Sequence, residues 1–289
     1  MSSGMEKVIH PFKTLHLATL YSWKRASCIW QEVAPARIHD DRSFGALCAV
    51  LHDPCTVSVE YEGWIFDLDL DTCTASCRTM GASIPWFYMI ERIVFPILAI
   101  CRGATLLHAS AMDMENVMTV YMAGTGVGKS TRVASCMALH PLAKLVCDDV
   151  FVVAQTERGF CTVPGSHHIA MRHASFDGAP FVDKIVNLGF KHALVVKEAR
   201  CSHRMADAFD LVLLEHGSPT DPVPCTRSEI LSQLLGGQFV LSNAPESFRR
   251  VQFVQMVDLI SHITVYRQNI DFHRETLDEA HRGGSGVLK

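Results

Sequence analysis

The sequence predicts an α/β protein in three parts: a small β-rich region at residues 1–83, a larger α/β core at residues 84–281 and a flexible tail at residues 282–289. Two patterns carry this prediction. Apolar and polar residues alternate early in the chain, as in half-buried strands. Later, strand, glycine-rich turn, helix and strand patterns follow one another, as in α/β folds. Of the 289 residues, 48% are hydrophobic, which is enough for a large core.

The β-rich region contains a predicted hairpin. Residues 56–62 and 64–70 both alternate between apolar and polar side chains, and Gly63 separates them. In the second segment Phe66 falls on the apolar face and Asp67 on the polar face. We therefore expect two antiparallel strands with one wet face.

The core opens with an apolar segment at residues 84–101. Glu91 and Arg92 lie at its centre and Pro96 follows them. Central charges are costly in a bilayer, and about 20 apolar residues are needed to cross one. The segment therefore predicts a buried helix, kinked near the proline, and no membrane span.

The next elements alternate between strand and helix. Residues 105–112 and 117–122 have strand patterns, residues 129–139 have a helical pattern, and residues 145–147 form a third short strand. Further strands are expected at residues 193–197 and 211–214.

Two helices are predicted near the end of the core. Thr226 and Glu229 have the spacing of a capping box, and that helix would end at residues 236–237. A longer helix is expected over residues 245–262. Its proposed apolar stripe consists of Phe248, Val251, Val254, Val257 and Ile260.

The net charge and the cysteine content indicate which partners and which redox environment to expect. The net charge is −4 and the isoelectric point about 6.4, so the chain has no overall basic footprint for a nucleic-acid partner. The eleven cysteines include no Cys-x-x-Cys pair, and most lie singly in apolar runs. This usage predicts a reducing, cytoplasmic environment. The fifteen histidines show no spacing typical of zinc ligands.

A glycine-rich loop carries the strongest functional signal. It follows the pattern G-x-x-x-x-G-K-[ST], except that Ala123 replaces the first glycine. Its backbone N–H groups and the following helix N-terminus would surround a phosphate. Lys129 would contact the β- and γ-phosphates, and Ser130 would ligate Mg²⁺. The predicted nucleotide-binding residues are Gly124, Thr125, Gly126, Val127, Gly128, Lys129, Ser130 and Thr131.

A pair of acids follows the strand at residues 145–147. One of the two, Asp148 and Asp149, can hold Mg²⁺, and the other can accept a proton from an attacking hydroxyl. We assign the metal to Asp148 and the base to Asp149, although the two roles are exchangeable at the level of sequence.

A histidine precedes the loop by one strand. His108 stands in the sequence Leu-His-Ala-Ser that ends at Ser110. Spacing alone favours a core histidine at such a position. A role in function is the alternative at this position.

Together these motifs resemble the catalytic domain of HPr kinase/phosphorylase and its relatives. The resemblance covers about residues 100–280 and rests on the order Leu-His-Ala-Ser, Gly-Thr-Gly-Val-Gly-Lys-Ser-Thr and Cys-Asp-Asp-Val. It implies a P-loop core with a mixed sheet that uses ATP and Mg²⁺. Carried over by position, it places Lys129, His108, Asp148 and Asp149 in the catalytic site. It also makes Arg172 and Lys184 candidate substrate contacts.

The chain departs from true HPr kinase at two places. The Arg-Gly-Leu-Gly-Ile-Ile segment of that family has no match, and the N-terminal region is different. In this the chain is similar to stand-alone relatives found beside peptide and polysaccharide biosynthesis genes. Some of these phosphorylate a serine at the C-terminus of lasso-peptide precursors, which implies a peptide hydroxyl as acceptor.

Two other functions fit the same motifs. A kinase of a small metabolite, such as free serine or a sugar, would keep the site and change the acceptor. A nucleotide-switched regulatory protein would bind and hydrolyse nucleotide without an acceptor. The oligomeric state, including a homo-oligomer, is left open by the sequence.

Overall fold

The structure, a computed structural model, describes most of the chain from Ala104 to Ile270 and separate segments before it. The described residues are 37–40, 47–53, 56–61, 64–69, 74–79, 88, 99, 104–156, 159–163, 165, 167–172, 176–236 and 246–270.

The chain divides into two compact units. The first consists of Met1–Thr105, Ala154–Arg158 and Val240–Gln255, and the second of Leu106–Val153, Gly159–Phe239 and Met256–Lys289. The boundary expected between residues 83 and 84 stays a prediction. The expected tail lies outside the described residues.

The first unit contains a five-stranded antiparallel sheet. Its strands, in spatial as well as chain order, are β1 (Arg37–Asp40), β2 (Leu47–Asp53), β3 (Thr56–Tyr61), β4 (Trp64–Asp69) and β5 (Thr74–Thr79). The predicted hairpin is confirmed, because β3 and β4 pair antiparallel with Tyr61 opposite Trp64. Phe66 is fully buried, whereas Asp67 on the other face accepts a hydrogen bond from Ser58.

The apolar segment at residues 84–101 lies almost wholly outside the described residues. Tyr88 and Ala99 are described, and both are helical and buried. No helix in the described ranges is long and apolar enough to cross a bilayer.

The remaining described elements are twelve strands and three α-helices, in agreement with the predicted α/β class. The strands are β6 (Thr105–Leu107), β7 (Ala109–Met114), β8 (Val117–Met122), β9 (Lys144–Cys147), β10 (Phe151–Thr156), β11 (Gly159–Val163), β12 (His168–Met171), β13 (Val182–Asn187), β14 (His192–Val196), β15 (Asp210–His216), β16 (Val223–Pro224) and β17 (Thr264–Ile270). The helices are α1 (Lys129–Leu139), α2 (Arg227–Gly236) and α3 (Glu246–His262).

A six-stranded mixed sheet forms the centre of the second unit. Its order is β16-β17-β15-β8-β7-β9. Strand β15 runs parallel to β8 and β17, whereas β7 runs antiparallel to β8 and β9. Two three-stranded sheets, β11-β10-β6 and β12-β14-β13, complete the described strands from residue 104 onward.

Successive residues of the central strands pack alternately into two apolar cores. Val120 and Leu211 belong to the core shared with α2 and α3, whereas Tyr121 and Val212 belong to the core shared with α1 and the β12-β14-β13 sheet. This period of two buries both faces of the sheet. Helices α2 and α3 and the β11-β10-β6 sheet therefore contribute to the core on one face, and α1 with the β12-β14-β13 sheet contributes to the core on the other.

Two predicted elements need correction. The strand expected over residues 105–112 is broken at His108, where the chain leaves the β11-β10-β6 sheet and enters the central one. Alternation cannot reveal this change of partner, because the residues on either side of the bend are all buried. The helix over residues 245–262 is present as α3, but its predicted stripe is only partly right. Ile260 is buried as predicted, whereas Val254 and Val257 are exposed, and Met256 and Leu259 are fully buried instead. The side chains of Phe248 and Val251 lie outside the described ones.

The other helices agree with the prediction. Helix α1 has the expected bounds, and α2 begins directly after Thr226. The Glu229 carboxylate accepts hydrogen bonds from the Thr226 N–H at 2.9 Å and from its hydroxyl at 2.6 Å. This is the glutamate half of a capping box, and it fixes the start of the helix.

Candidate active site

The glycine-rich loop connects β8 to α1 in the second unit. Gly126 and Gly128 have φ angles of +85° and +110°, in the left-handed region that a side chain disfavours. A Cβ on Gly126 would meet nothing within 4 Å, so conformation rather than space requires glycine there. The loop can therefore turn tightly before the helix begins at Lys129.

The side chain of Lys129 folds back and contacts the loop that precedes it. The residue is only 5% exposed, and its Nζ donates to the carbonyl oxygens of Ala123 at 3.1 Å and Gly124 at 3.4 Å. A phosphate oxygen is a stronger acceptor for an ammonium group than a neutral carbonyl. The ammonium group therefore lies at the loop, where a bound anion would compete with these two carbonyls for its hydrogen bonds.

The Asp148 carboxylate joins three parts of the second unit. Its Oδ1 accepts hydrogen bonds from Ser110 Oγ on β7 and from Ser130 Oγ on α1, both at 2.7 Å. Its Oδ2 accepts one from the Ala170 N–H on β12 at 2.8 Å. The register explains the first contact, because β9 places Cys147 opposite Ala111 and the next residue reaches Ser110.

The donors around Asp148 are all neutral. The residue is 4% exposed, and within the described ranges no lysine or arginine forms an ion pair with it. A buried carboxylate is normally paired with a cation or coordinates a metal. Carboxylate and hydroxyl oxygens are the ligands that Mg²⁺ prefers. The residues present therefore fit a magnesium ion.

Asp149 lies beside Asp148 in a different environment. Its backbone φ is +65°, which is unusual for a residue with a side chain and is found at functional sites. His108 Nε2 lies 3.8 Å from Oδ1, and Lys191 Nζ lies 3.7 Å from Oδ2. The residue is 8% exposed, so its carboxylate is held between two basic groups with little water.

A second buried carboxylate, Asp113, lies on β7 away from the loop. Arg204 donates to both of its oxygens, through Nε at 2.8 Å and an Nη at 3.0 Å, and Ser202 Oγ donates at 3.1 Å. Burial alone would raise the pKa of Asp113, but the hydrogen bonds from Arg204 and Ser202 outweigh it and lower the pKa. The same contact raises the pKa of Arg204. Asp113 is therefore a satisfied ion pair.

The thiol next to the acids is not a nucleophile. Cys147 is buried, and burial together with the charge of Asp148 raises its pKa well above the ordinary value. A thiol in this state is protonated at neutral pH and behaves as a small apolar group.

The remaining predicted site residues are placed as follows. In the loop, Gly124 and Thr125 are exposed, whereas Val127 and Thr131 are partly buried. Arg172 is exposed just after β12, and Lys184 is exposed on β13. In the described chain neither forms an ion pair with Asp148 or Asp149. Their roles as substrate contacts stay predictions.

Three partners of the acids were not predicted from the sequence. Ser110 stands within the Leu-His-Ala-Ser pattern, two strand positions from His108, so the signal for it was present. The Ala170 amide and Lys191 depend on the placement of the β12-β14-β13 sheet beside β9. Local pattern gives no sign of either.

No protein-family model matches this sequence, and no curated protein matches it. Among solved structures, it is similar to the HPr(Ser) kinase/phosphatase from Coxiella burnetii. The identity is 16%, the match covers 61% of this chain and 90% of that chain, and the TM-score is 0.33. The name of that structure is the name of the family that the motifs resemble. This match gives no similarity to a stand-alone relative. A likeness this weak says nothing about the chemistry of this chain.

Proposed function

We propose that this protein is a Mg²⁺- and ATP-dependent kinase that transfers the γ-phosphoryl group to a hydroxyl. One observation carries the proposal. The buried Asp148 carboxylate meets Ser130, the first residue after the loop lysine, and neutral groups supply its described hydrogen bonds. That is the arrangement expected of a metal ligand beside a phosphate-binding loop.

The loop would bind the triphosphate. Residues 124–131 supply backbone N–H groups and the N-terminus of α1, and both attract anions. Lys129 would exchange the carbonyls of Ala123 and Gly124 for phosphate oxygens. This exchange brings a positive charge to the phosphates. It removes little further water from the ammonium group, because Lys129 is already buried.

Ser130 and Asp148 would hold the metal. When bound, Mg²⁺ neutralises charge on the β- and γ-phosphates. Ser110 and the Ala170 amide keep the Asp148 carboxylate in place through their hydrogen bonds. They are positioning groups for the ligand.

Asp149 would act as the base. The acceptor hydroxyl loses its proton to Asp149, its oxygen forms a bond to the γ-phosphorus, and the bond from that phosphorus to the β,γ-bridging oxygen breaks. The products are ADP and a phosphate monoester. His108 and Lys191 flank the carboxylate and orient it toward the acceptor. Transfer is then a matter of positioning and charge, as in other kinases.

The acceptor we propose is a serine of a peptide, of the kind found at the end of a lasso-peptide precursor. This choice rests on the resemblance of the motifs to the stand-alone kinases. A small metabolite, such as free serine or a sugar, would need the same groups in the same places. We propose a cytoplasmic location, because Cys136, Cys147, Cys161, Cys201 and Cys225 are free thiols and three of them are buried.

A transfer assay with γ-labelled ATP and Mg²⁺ tests the proposal. The acceptors are serine-ended peptides, free serine and simple sugars, and the Lys129→Ala variant is the blank. We expect label on a peptide with the wild type and at least about 100-fold less label with the variant. Label on serine or a sugar would change the acceptor and keep the kinase.

Two outcomes would reject the kinase. Label released only as inorganic phosphate would identify a nucleotide-hydrolysing switch, and tight ATP binding without turnover would identify a switch that responds to nucleotide binding alone. Peptide labelling that is undiminished in Lys129→Ala would point to a contaminating kinase.

A further inference from the structure

A second cluster of metal-binding side chains lies outside the candidate active site. His167, Glu198 and His203 each offer one ligand atom, and these atoms all lie within 4.8 Å of one another. The rings of His167 and His203 meet edge to face with centroids 6.1 Å apart. His203 Nε2 lies 2.7 Å from Glu198 Oε1. All three residues are exposed, so an ion could reach them from solvent.

The backbone holds the three residues at fixed points. The His167 carbonyl accepts a hydrogen bond from the Val196 N–H at 2.8 Å, which ties the start of β12 to the end of β14. Glu198 opens a 3₁₀ turn, Glu198–Arg200. Arg200 pins that turn by donating to the carbonyls of Met137, His140 and Ala143.

His203 is held just as firmly. Its neighbours Ser202 and Arg204 both bind the buried Asp113 carboxylate. The Ser202 N–H also donates to the Leu145 carbonyl at 2.6 Å. The chain on both sides of His203 is therefore anchored to the central sheet, and the imidazole projects from a rigid segment.

We propose that His167, Glu198 and His203 form a binding site for a divalent transition metal, with Zn²⁺ as the expected ion. Two imidazoles and one carboxylate are ligands typical of zinc, whereas Mg²⁺ prefers oxygen ligands alone. Three protein ligands leave one position of a tetrahedral ion open to water. The site therefore differs in chemistry from the oxygen ligands around Asp148.

For the His203–Glu198 pair, only a small adjustment separates the present geometry from coordination. At zinc–ligand distances of about 2.0–2.1 Å, two tetrahedral ligand atoms lie about 3.3 Å apart. The hydrogen bond between His203 and Glu198 would lengthen by about 0.6 Å from its 2.7 Å. The proton between His203 Nε2 and Glu198 Oε1 would have to leave that position as the ion enters.

The site lies close to the candidate active site along the chain. His167 and Ala170, whose amide binds Asp148, are three residues apart, or about 10 Å along an extended strand. Segment 198–204 also closes the Asp113 ion pair. A bound ion would join β12 to this segment and stabilise the second unit, whether or not the protein is a kinase.

Calorimetric titration of the chelator-treated full-length protein with ZnCl₂ tests the proposal. We expect one equivalent of zinc to bind to the wild type. His203→Ala should weaken that binding by at least about 100-fold, since loss of even an outer partner of a metal costs roughly 10–100-fold. Glu198→Gln, which keeps the size of the side chain, should also weaken it. His216→Ala is the matched control, because His216 is exposed and outside the cluster.

X-ray absorption at the zinc edge gives a second readout that does not depend on the variants. Nitrogen and oxygen scatterers with two imidazoles support the site, whereas sulfur scatterers would assign the ion to cysteines and overturn the proposal. Equal zinc affinity in the wild type and in both cluster variants would overturn it too, as would the absence of zinc binding. Circular dichroism of the zinc-free variants checks that each one is folded.

Discussion

Two buried carboxylates lie against the same strand and are treated differently by the fold. Asp113, near the end of β7, forms an ion pair with the guanidinium of Arg204. Asp148, which meets Ser110 near the start of β7, accepts its described hydrogen bonds from two hydroxyls and an amide. Antiparallel pairing of β7 with β9 brings the second carboxylate to the loop end of the sheet.

The difference separates a charge that the chain pairs itself from one that, under the proposed function, a metal ion would pair. Both groups are almost inaccessible to water, and a buried charge without a partner costs several kcal/mol. Arg204 balances the charge of Asp113 within the chain. A cation from solution can balance that of Asp148, and Ser130 at the start of α1 is already in place beside it. The fold therefore pairs the charge of Asp113 within the chain, and the proposed function assigns the pairing of Asp148 to a metal ion.

The largest effect is expected at the proposed base. Asp149→Asn removes the proton acceptor and keeps the shape, so phosphoryl transfer should fall by about 10²–10⁴-fold while nucleotide binding stays within a few-fold. Single-turnover transfer and calorimetric binding of ATP measure the two effects separately. Normal turnover in this variant would show that another group takes the proton.

Lys129→Ala should have the next largest effect. Loss of one preorganised charged donor costs about 10²–10³-fold in transfer, and ATP binding should weaken as well. Lys144→Ala is the matched control, because Lys144 is exposed at the start of β9. Steady-state kinetics of both variants decide the point. Equal losses in the two would show a general effect of surface charge.

Asp113→Asn tests the structural half of the comparison. It should lower the free energy of unfolding by about 1–3 kcal/mol at neutral pH, since Arg204 loses its charged partner and is itself partly exposed. The folded-state pKa of Asp113 lies below its ordinary value of 3.8, so its contribution is complete above that pH. It disappears as the pH falls through the lower folded value.

Urea unfolding at several pH values measures this contribution. The difference between the wild type and Asp113→Asn should shrink as the pH falls below about 3.8. Asp183→Asn, an exposed aspartate on β13, should change stability little at any pH. A difference that stays constant with pH would mean that the carboxylate charge is not the source of the stability.

The smallest effect is expected at Ser110. Ser110→Ala removes one of the three donors to Asp148 and should cost about 1 kcal/mol of stability. Mg²⁺-dependent binding of ATP should weaken by less than about 10-fold, because Ser130 still reaches the same oxygen. Ser130→Ala should weaken it more. The reverse order would show that β7, not α1, supplies the metal ligand.

The sequence predicted the local elements of this site well. A glycine-rich pattern before a helical run gave the loop and the bounds of α1, because those residues act through backbone conformation within a few positions. The strand before the acids was predicted for the same reason.

Contacts between residues far apart in the chain could not be predicted from the sequence. Asp113 and Arg204 are 91 residues apart, and no local period links them. The break at His108 depends on a change of sheet, and the buried side of α3 depends on packing. The histidines of the second cluster escaped for the same reason, since His167 and His203 come together only through the fold.

The most direct test of the central claim measures ATP binding by calorimetry with and without Mg²⁺. It compares the wild type, Asp148→Asn and Asp113→Asn. The comparison predicts that Mg²⁺ strengthens ATP binding in the wild type and in Asp113→Asn, and that this gain is lost in Asp148→Asn. Binding that ignores Mg²⁺ in the wild type, or a full gain in Asp148→Asn, would contradict the assignment of Asp148 as the metal ligand.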